Sequence, residues 1–421
     1  MPTAGFLDEL TTRGLVHDST DRAVLGARLD TSPVSVYVGF DPTADSLHVG
    51  HLLGQLMLRR FQLAGHRPFP LAGGATGMVG DPSGRSDERN LLDRATLEHN
   101  VSCIKQQLER ILDFSAGGAV LVNNADWTAG ITALDFLRDV GKHITVNQMM
   151  AKESVKNRLS SENGLSYTEF SYMLLQANDF RHLCAEHGVE LQMGGSDQWG
   201  NITAGIDLIR RTLGRHAHGL TWPLVTKSDG TKFGKTADGA VWLDPTRTSP
   251  YQFRQFWVNL PDDDVVRYLP QFSLAPLAQT QDLIARHTAD PGRRTAQRAL
   301  AAEMTGIVHG AAAAADAEAA AEVLFGGDPT GASAAALSVV AAEVPSTKVT
   351  RAELDDVFGV LARSGAVAST SEARRAVEQK GIRVNGRVLG AGETLAAGGL
   401  LHDRWVLVRR GKTTYHLLDL A

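Results

Sequence analysis

Cysteine is nearly absent: Cys103 and Cys184 are the only two in 421 residues. That is too few for a disulfide framework, and the repeated spacing of a zinc site is missing. A long apolar run free of charge is also lacking. The most alanine-rich stretch, Ala311 to Ala321, carries Asp316 and Glu318 and runs into Glu322. That pattern suits an exposed helix and not a lipid-facing one, so no membrane association is expected. Met1 to Leu10 contains Asp8 and Glu9 but no Lys or Arg; no secretory signal is predicted, and a reducing, cytoplasmic compartment is expected. Compositional extremes are missing too. With 43% hydrophobic and 21% charged residues, the chain has the averages of folded domains, which excludes wholesale disorder and fibrous architecture. Its length implies two or three domains.

Charge is scarce overall but unevenly placed. The net value is −5, yet from Ser346 onward twelve Lys/Arg face eight Asp/Glu, a balance of +4 that leaves −9 for the rest. An acidic body with a basic tail suits a protein that holds a polyanion at one end.

Val34 to Phe40 is β-branched or aromatic at most positions and stops at Asp41-Pro42, a buried strand running into a loop. Val49, Leu52, Leu53, Leu56 and Met57 then recur at helical spacing, and Gly65 with Pro68 ends the helix. Phe69 to Ala72, Gly118 to Asn123 and Val189 to Met193 read as further strands, the last followed by Gly194-Gly195 and a helix from near Asn201. This alternation predicts an α/β catalytic domain over residues 1–246: a doubly wound, Rossmann-like parallel sheet with its site at the strand carboxyl ends. Helical patterns over 247–325 predict a separate helical domain, and the Gly/Ala/Pro/Ser-rich stretch 326–350 a flexible linker. Residues 351–421, with the helix Ser371 to Gln379 and an Asn385-Gly386 turn between alternating residues, predict a small α+β domain.

Five constellations carry chemistry. In Asp41 to His51, the imidazoles of His48 and His51 share one face at a helix start, where backbone N–H groups and the helix dipole favour an anion. Gly50 would let a ligand approach the backbone. No metal is expected there, because no further ligand stands at zinc-motif spacing. In the glycine-rich stretch Gly73 to Arg85, three residues separate Gly80 from Gly84 where a Walker loop has four, and the dinucleotide fingerprint fails as well. What remains is a loop with Asp81 and the cations Arg85 and Arg89, suited to an ammonium and phosphates. Ser166-Tyr167-Thr168-Glu169 predicts a capping box, opening a helix on which Tyr172, Gln176 and Asp179 form one polar stripe. That stripe is either a buried hydrogen-bond network or a ligand wall. Gly194 to Asn201 is again a strand end, glycine turn and helix start, where a carboxylate would meet a ribose. Finally, Ser228 to Thr236 brings Lys232 and Lys235 within reach of one polyphosphate.

Together these residues resemble the bacterial tyrosyl-tRNA synthetases of class I. His48-Val49-Gly50-His51 is similar to the HIGH signature of that family, and Lys232-Phe233-Gly234-Lys235-Thr236 to its variant of the KMSKS loop. More specific are Tyr37 to Thr43, Gly80 to Gly84, the Tyr172/Gln176/Asp179 helix and Gly194 to Asn201. The tail, with Ser371 to Arg375 and Val384-Asn385-Gly386, resembles an RNA-binding domain named after a small-subunit ribosomal protein.

The resemblance implies tyrosine, ATP with Mg²⁺ on its phosphates, and the tyrosine tRNA as substrates, no tightly bound cofactor, and a homodimer. Tyr37 and Asp179 are then expected at the substrate phenol, Tyr172, Gln176 and Asp81 at its ammonium, and Gln198 near its carboxylate. Thr43, His48, His51, Gly39, Asp41, Gly50, Gly195, Asp197 and Lys235 are expected around ATP, with Asp197 at the ribose. Lys232, Lys235, Thr236, Arg85 and Arg89 would surround the departing pyrophosphate. Arg374, Arg375, Arg383, Arg387, Arg409 and Arg410 are expected to meet RNA. The apolar stretch around Phe136, Ile144, Met149 and Met150 is the candidate dimer face. Competing readings are a tryptophanyl-tRNA synthetase, less suited to Asp179 with Tyr37, a nicotinamide enzyme, and a noncatalytic RNA-binding descendant of a synthetase.

Overall fold

The computed structural model describes residues 3–83, 92–160, 164–226, 228, 233–236 and 239–420. Five strands, β1 (Ser35–Phe40), β2 (Arg67–Ala72), β3 (Val122–Asn123), β4 (Val189–Gly195) and β5 (His218–Trp222), form one sheet in the order β3-β2-β1-β4-β5. Every pairing is parallel, so the doubly wound sheet expected from the alternation is present. In β1, Val36, Tyr37, Val38 and Phe40 are all buried, as a central strand covered on both faces requires. The strand order reverses between β1 and β4, and the crevice beyond their carboxyl ends is where such sheets bind ligands.

Two strands differ from expectation. Of Gly118 to Asn123 only Val122–Asn123 pairs as a strand. β5 went unforeseen, because His218-Gly219-Leu220-Thr221-Trp222 is short, starts polar and contains a glycine.

The helix opened by Ser166 spans Tyr167–His187, ending where Gly188 takes φ 65°. Ser166 Oγ accepts from the Glu169 N–H at 3.2 Å, but the reciprocal half of the expected capping box is replaced. The Glu169 carboxylate accepts from Arg158 Nη1 at 3.1 Å and Nη2 at 2.8 Å, with both side chains buried. Removing one partner of such a pair costs about 3–5 kcal/mol, so this contact anchors the helix that carries Tyr172, Gln176 and Asp179.

The chain forms two compact units, residues 1–248 with 258–300 and residues 249–257 with 301–421. The region expected as one helical domain is thereby divided. In the first unit, Arg13 donates to the carbonyls of Pro270 at 3.2 Å and Ala275 at 2.7 Å, and Arg60 to that of Gln271 at 3.1 Å, which ties the end of helix Asp262–Phe272 to the sheet unit. In the second, Arg254 pairs with Glu318 at 3.1 Å.

The stretch expected as a flexible linker holds helix Ala334–Glu343 and strand Ser346–Val349. Leu337 and Val340 are fully buried in a cluster with Ala320, Val323, Trp405, Leu407 and Leu417; low charge here reflects core packing. The strand joins the sheet of the second unit, pairing in parallel with Thr414–Leu420, while Trp405–Arg410, Ile382–Val384 and Arg387–Val388 follow antiparallel. No helix among the described residues is long and apolar enough to cross a membrane.

Candidate active site

A cavity of about 300 Å³ opens at the carboxyl ends of β1 and β4. At one end lie Tyr37 from β1 and Asp179 from helix Tyr167–His187. The Tyr37 hydroxyl is buried and has no hydrogen-bond partner among the described residues, and its pKa is pushed up first by burial and then by the negative charge of Asp179. Asp179 accepts from Asn124 Nδ2 and Trp127 Nε1, both at 2.9 Å. Those donors favour the charged form, yet burial outweighs them and raises the carboxyl to about 7. An orphan hydroxyl is costly, so the pair is arranged for a polar group that the cavity admits. Beside them, Gln192, register partner of Tyr37, keeps its buried Oε1 without a partner among the described residues.

A hydrogen-bond chain lines the wall. Tyr172 Oη donates to Asp41 Oδ2 at 2.9 Å, and Thr76 Oγ1 to Asp41 Oδ1 at 2.7 Å. Asn124 Nδ2 donates to Thr76 Oγ1 at 3.0 Å. Asp41, expected among the ATP ligands, thus turns its carboxylate to Tyr172 and Thr76, which supply the donors a partly buried carboxylate needs. Opposite, Gln198 Nε2 donates to Asp81 Oδ2 at 2.8 Å, and Asn201 Nδ2 to Gln176 Oε1 at 2.8 Å. Asp197 also lines the cavity, its pKa raised by burial and then by Asp81.

At the other end the two histidines cap helix Val49–Leu63. His48 Nδ1 accepts from the Gly50 N–H at 3.0 Å, and His51 Nδ1 from the His48 N–H at 3.3 Å, with the rings stacked 4.0 Å apart. A neutral imidazole that accepts at Nδ1 carries its proton on Nε2, so the capping selects the same tautomer in both rings. Gly50 lines the cavity and also serves the cap. A Cβ there would lie 2.7 Å from His48 Cε1, so the glycine makes room for the imidazole. Gly39, Thr43, His51 and Gly195 line the same cavity.

Lys235–Thr236 pairs with Gly239–Ala240. Just before it, Gly234 takes φ +78°, and a Cβ on it would come within 3.3 Å of the Gly50 nitrogen. The backbone at Gly234 therefore lies against the start of the histidine-capped helix. Only the backbone of Lys235 and Thr236 is described, and Arg85, Arg89 and Lys232 lie outside the described residues.

In the second unit, Arg374 and Arg375 are exposed on helix Thr370–Glu378. Arg383 and Arg409 are cross-strand partners and line a cleft with Tyr415. Arg387 and Arg410 are already paired, with Glu393 and Glu372.

Sequence reading gave no role to Thr76, Asn124, Trp127, Lys152, Gln192 and Asn201. Thr76 and Asn201 stand inside the Gly73 to Arg85 and Gly194 to Asn201 constellations, Gln192 lies on the strand just before the latter, and the rule that sites gather at strand ends pointed to Asn124, one residue beyond β3; nothing local pointed to Trp127 or Lys152.

The family described as "tRNA synthetases class I (W and Y)" matches residues 29–326, and the chain belongs to it. The "Tyrosine--tRNA ligase SYY-like C-terminal domain" matches residues 337–418. Tyrosine–tRNA ligases of Roseiflexus castenholzii and Opitutus terrae are similar at 51% and 52% identity, the first over 99% of both chains and the second over 99% of this chain and 100% of its own. A C-terminally truncated mitochondrial tyrosyl-tRNA synthetase of Aspergillus nidulans shares the fold at 33% identity with TM-score 0.69, over 76% of this chain and 94% of its own. Within the class, the chain stands with the tyrosine–tRNA ligases.

Proposed function

We propose that this cavity is where the chain, as a tyrosine–tRNA ligase, joins tyrosine to ATP before passing it to the 3′-terminal adenosine of its tRNA. The observation that carries the substrate choice is the buried, unpartnered Tyr37 hydroxyl next to Asp179: a phenol accepts from one and donates to the other, whereas a phenyl ring does neither and an indole, a donor only, cannot accept the Tyr37 proton. Asp81, Tyr172 and Gln176 take the ammonium, and Gln198 turns its amide toward the carboxylate.

That carboxylate is already a nucleophile, so the reaction needs no general base. It attacks the α-phosphorus of ATP, the bond to the bridging oxygen breaks, and pyrophosphate leaves with the electron pair; Mg²⁺ arrives on the phosphates as part of that substrate. Catalysis then consists of aligning two anions and meeting the charge that develops. His48 and His51 at the helix start, with Thr43, suit the phosphates, and Asp197 suits the ribose. Lys232, Lys235, Thr236, Arg85 and Arg89 take the pyrophosphate. The tryptophan and noncatalytic readings are separated from this one by pyrophosphate exchange with each of the twenty amino acids. Exchange with tyrosine alone is expected; exchange with tryptophan, or none, would overturn the assignment.

Arg374, Arg375, Arg383 and Arg409 are the cations we assign to tRNA phosphates, with Arg387 and Arg410 held back by their carboxylate partners. A homodimer is proposed on the stretch around Phe136, Ile144, Met149 and Met150, through its exposed side chains. Ile144 and Met149 are buried with Met173 and Leu174, and Phe136 packs against them, while Leu134 at 80%, Val146 at 58% and Met150 at 47% stay exposed and form an apolar surface suited to a second copy. The unpaired thiols Cys103 and Cys184 and substrates made inside cells support a cytoplasmic location.

A further inference from the structure

Behind the wall of the cavity sits a lysine that the reaction above does not use. Lys152, just before the short helix Glu153–Leu159, keeps only 6% of its side chain exposed and lies 3.9 Å from Asp81. Its Nζ donates to Asn201 Oδ1 at 2.8 Å and to Ser83 Oγ at 3.0 Å. The stem runs over Gly200, where a Cβ would come 3.2 Å from Lys152 Cγ, so the bare glycine is what lets the ammonium reach inward.

We propose that Lys152 is a positioning residue that decides which way the side-chain amides of Asn201, Gln176 and Gln198 face, and so the polarity of the amino-acid pocket; this rests on the assignment of Asp81, Gln176 and Gln198 to tyrosine. An ammonium has three N–H donors and no lone pair. Asn201 must therefore turn its carbonyl oxygen toward Lys152. Its amino group is left to donate to Gln176 Oε1 at 2.8 Å and Gln198 Oε1 at 3.0 Å. With that oxygen engaged, Gln198 turns Nε2 to Asp81 Oδ2 at 2.8 Å and Asp197 Oδ2 at 3.4 Å.

Reversing the amides would set the Gln198 carbonyl oxygen against both carboxylates and against the incoming carboxylate of the amino acid. The ammonium also offsets the negative charge of Asp81 and Asp197 from behind; burial pushes its pKa down, and those two carboxylates oppose the shift. In a chain of buried amides each member is oriented by the last, and the group that cannot be reversed sets the direction.

The test is Lys152→Met in the full-length enzyme, read by tyrosine-dependent pyrophosphate exchange. KM for tyrosine should rise about tenfold, the scale of a lost charge-assisted hydrogen bond, while KM for ATP moves by less than about twofold, a split that general loosening of the fold would not produce. In an Asn201→Ala background the same substitution should leave KM for tyrosine where it is, because the relay is already cut. Unchanged tyrosine KM, additive effects in the double variant, or a defect confined to tRNA charging each overturns the proposal. Lys152→Gln, which keeps a donor without the charge, carries the same double comparison if the methionine variant does not fold. Loss of tyrosine affinity in Gln176→Ala tests the underlying pocket assignment separately.

Discussion

Trp127 donates its indole N–H to Asp179 Oδ1 at 2.9 Å and stacks its ring on His182, with centroids 4.4 Å apart. Asn124 holds the other carboxylate oxygen at 2.9 Å. Both donors come from the loop and short helix that follow β3, so the carboxylate we assign to the substrate phenol is oriented by an element far from it in the chain. Burial still raises Asp179 to about 7, which puts its charge change near neutral pH.

Asp179→Asn should therefore change stability in a pH-dependent way. A carboxyl raised in the fold from 3.8 to about 7 contributes most below its unfolded pKa, and that contribution is lost as pH climbs through the folded value. Thermal scans should show the melting temperature of the variant, relative to the parent, shifting upward by a few degrees between pH 4 and pH 8. A constant gap would mean that the carboxyl is not raised.

Tyr37→Phe with Asp179→Ala should cripple rejection of phenylalanine. The parent should lose affinity for a ring without a hydroxyl because the buried Tyr37 hydroxyl is left without a partner and the Asp179 carboxylate loses a donor it would otherwise gain; discrimination of tyrosine from phenylalanine is the standing instance of this effect. The ratio of kcat/KM for tyrosine over phenylalanine should fall by at least about tenfold. An unchanged ratio would remove the phenol from this end of the cavity.

Lys235→Ala should lower the single-turnover rate of adenylate formation by about a hundredfold, the scale of a lost transition-state donor, with tyrosine affinity little changed. Gly234 brings the loop backbone against Gly50, far from the Tyr37 end. Weaker tyrosine binding at an intact rate would instead assign the loop to the amino-acid pocket.

Truncation after Pro345 should spare chemistry with small molecules but cost stability. The site constellations lie in the first unit, so pyrophosphate exchange should persist, while tRNA charging should fall with the loss of Arg374, Arg375, Arg383 and Arg409. Unlike removal of a tail beyond a flexible linker, the cut uncovers Val323, Leu337 and Val340, which pack on Trp405, Leu407 and Leu417; a lower melting temperature and aggregation are expected. Exchange, aminoacylation at two salt concentrations and a melting curve on one preparation check all three. Near-normal charging would dismiss the tail as the tRNA clamp, and lost exchange would make it part of the catalytic unit.

Short-range pattern carries a good part of this protein. Val34 to Phe40 followed by Asp41-Pro42 and a helical repeat can only be a buried strand, a loop and a helix, because alternation, breakers and 3.6-residue spacing are local properties. The same holds for Val189 to Asn201, so the sheet class and the residues at its carboxyl ends were legible. Tyr172, Gln176 and Asp179 on one stripe follow from helix geometry alone.

Pairings between distant residues were not legible. Tyr172 meets Asp41, 131 positions away, and Lys152 meets Asn201, 49 positions away; no periodicity encodes such partners, since they come together only when the strand order places β1 beside β4. The division of helices between units and the burial of Leu337 and Val340 had the same cause. By itself, the sequence determined the strands and helices that flank the site, though not β5 or the helix and strand between Ala334 and Val349, and which side chains stand at their ends. Tertiary structure alone decided which of those side chains touch, because a hydrogen bond depends on distance in space and buried groups take whatever partner the packing brings within about 3 Å.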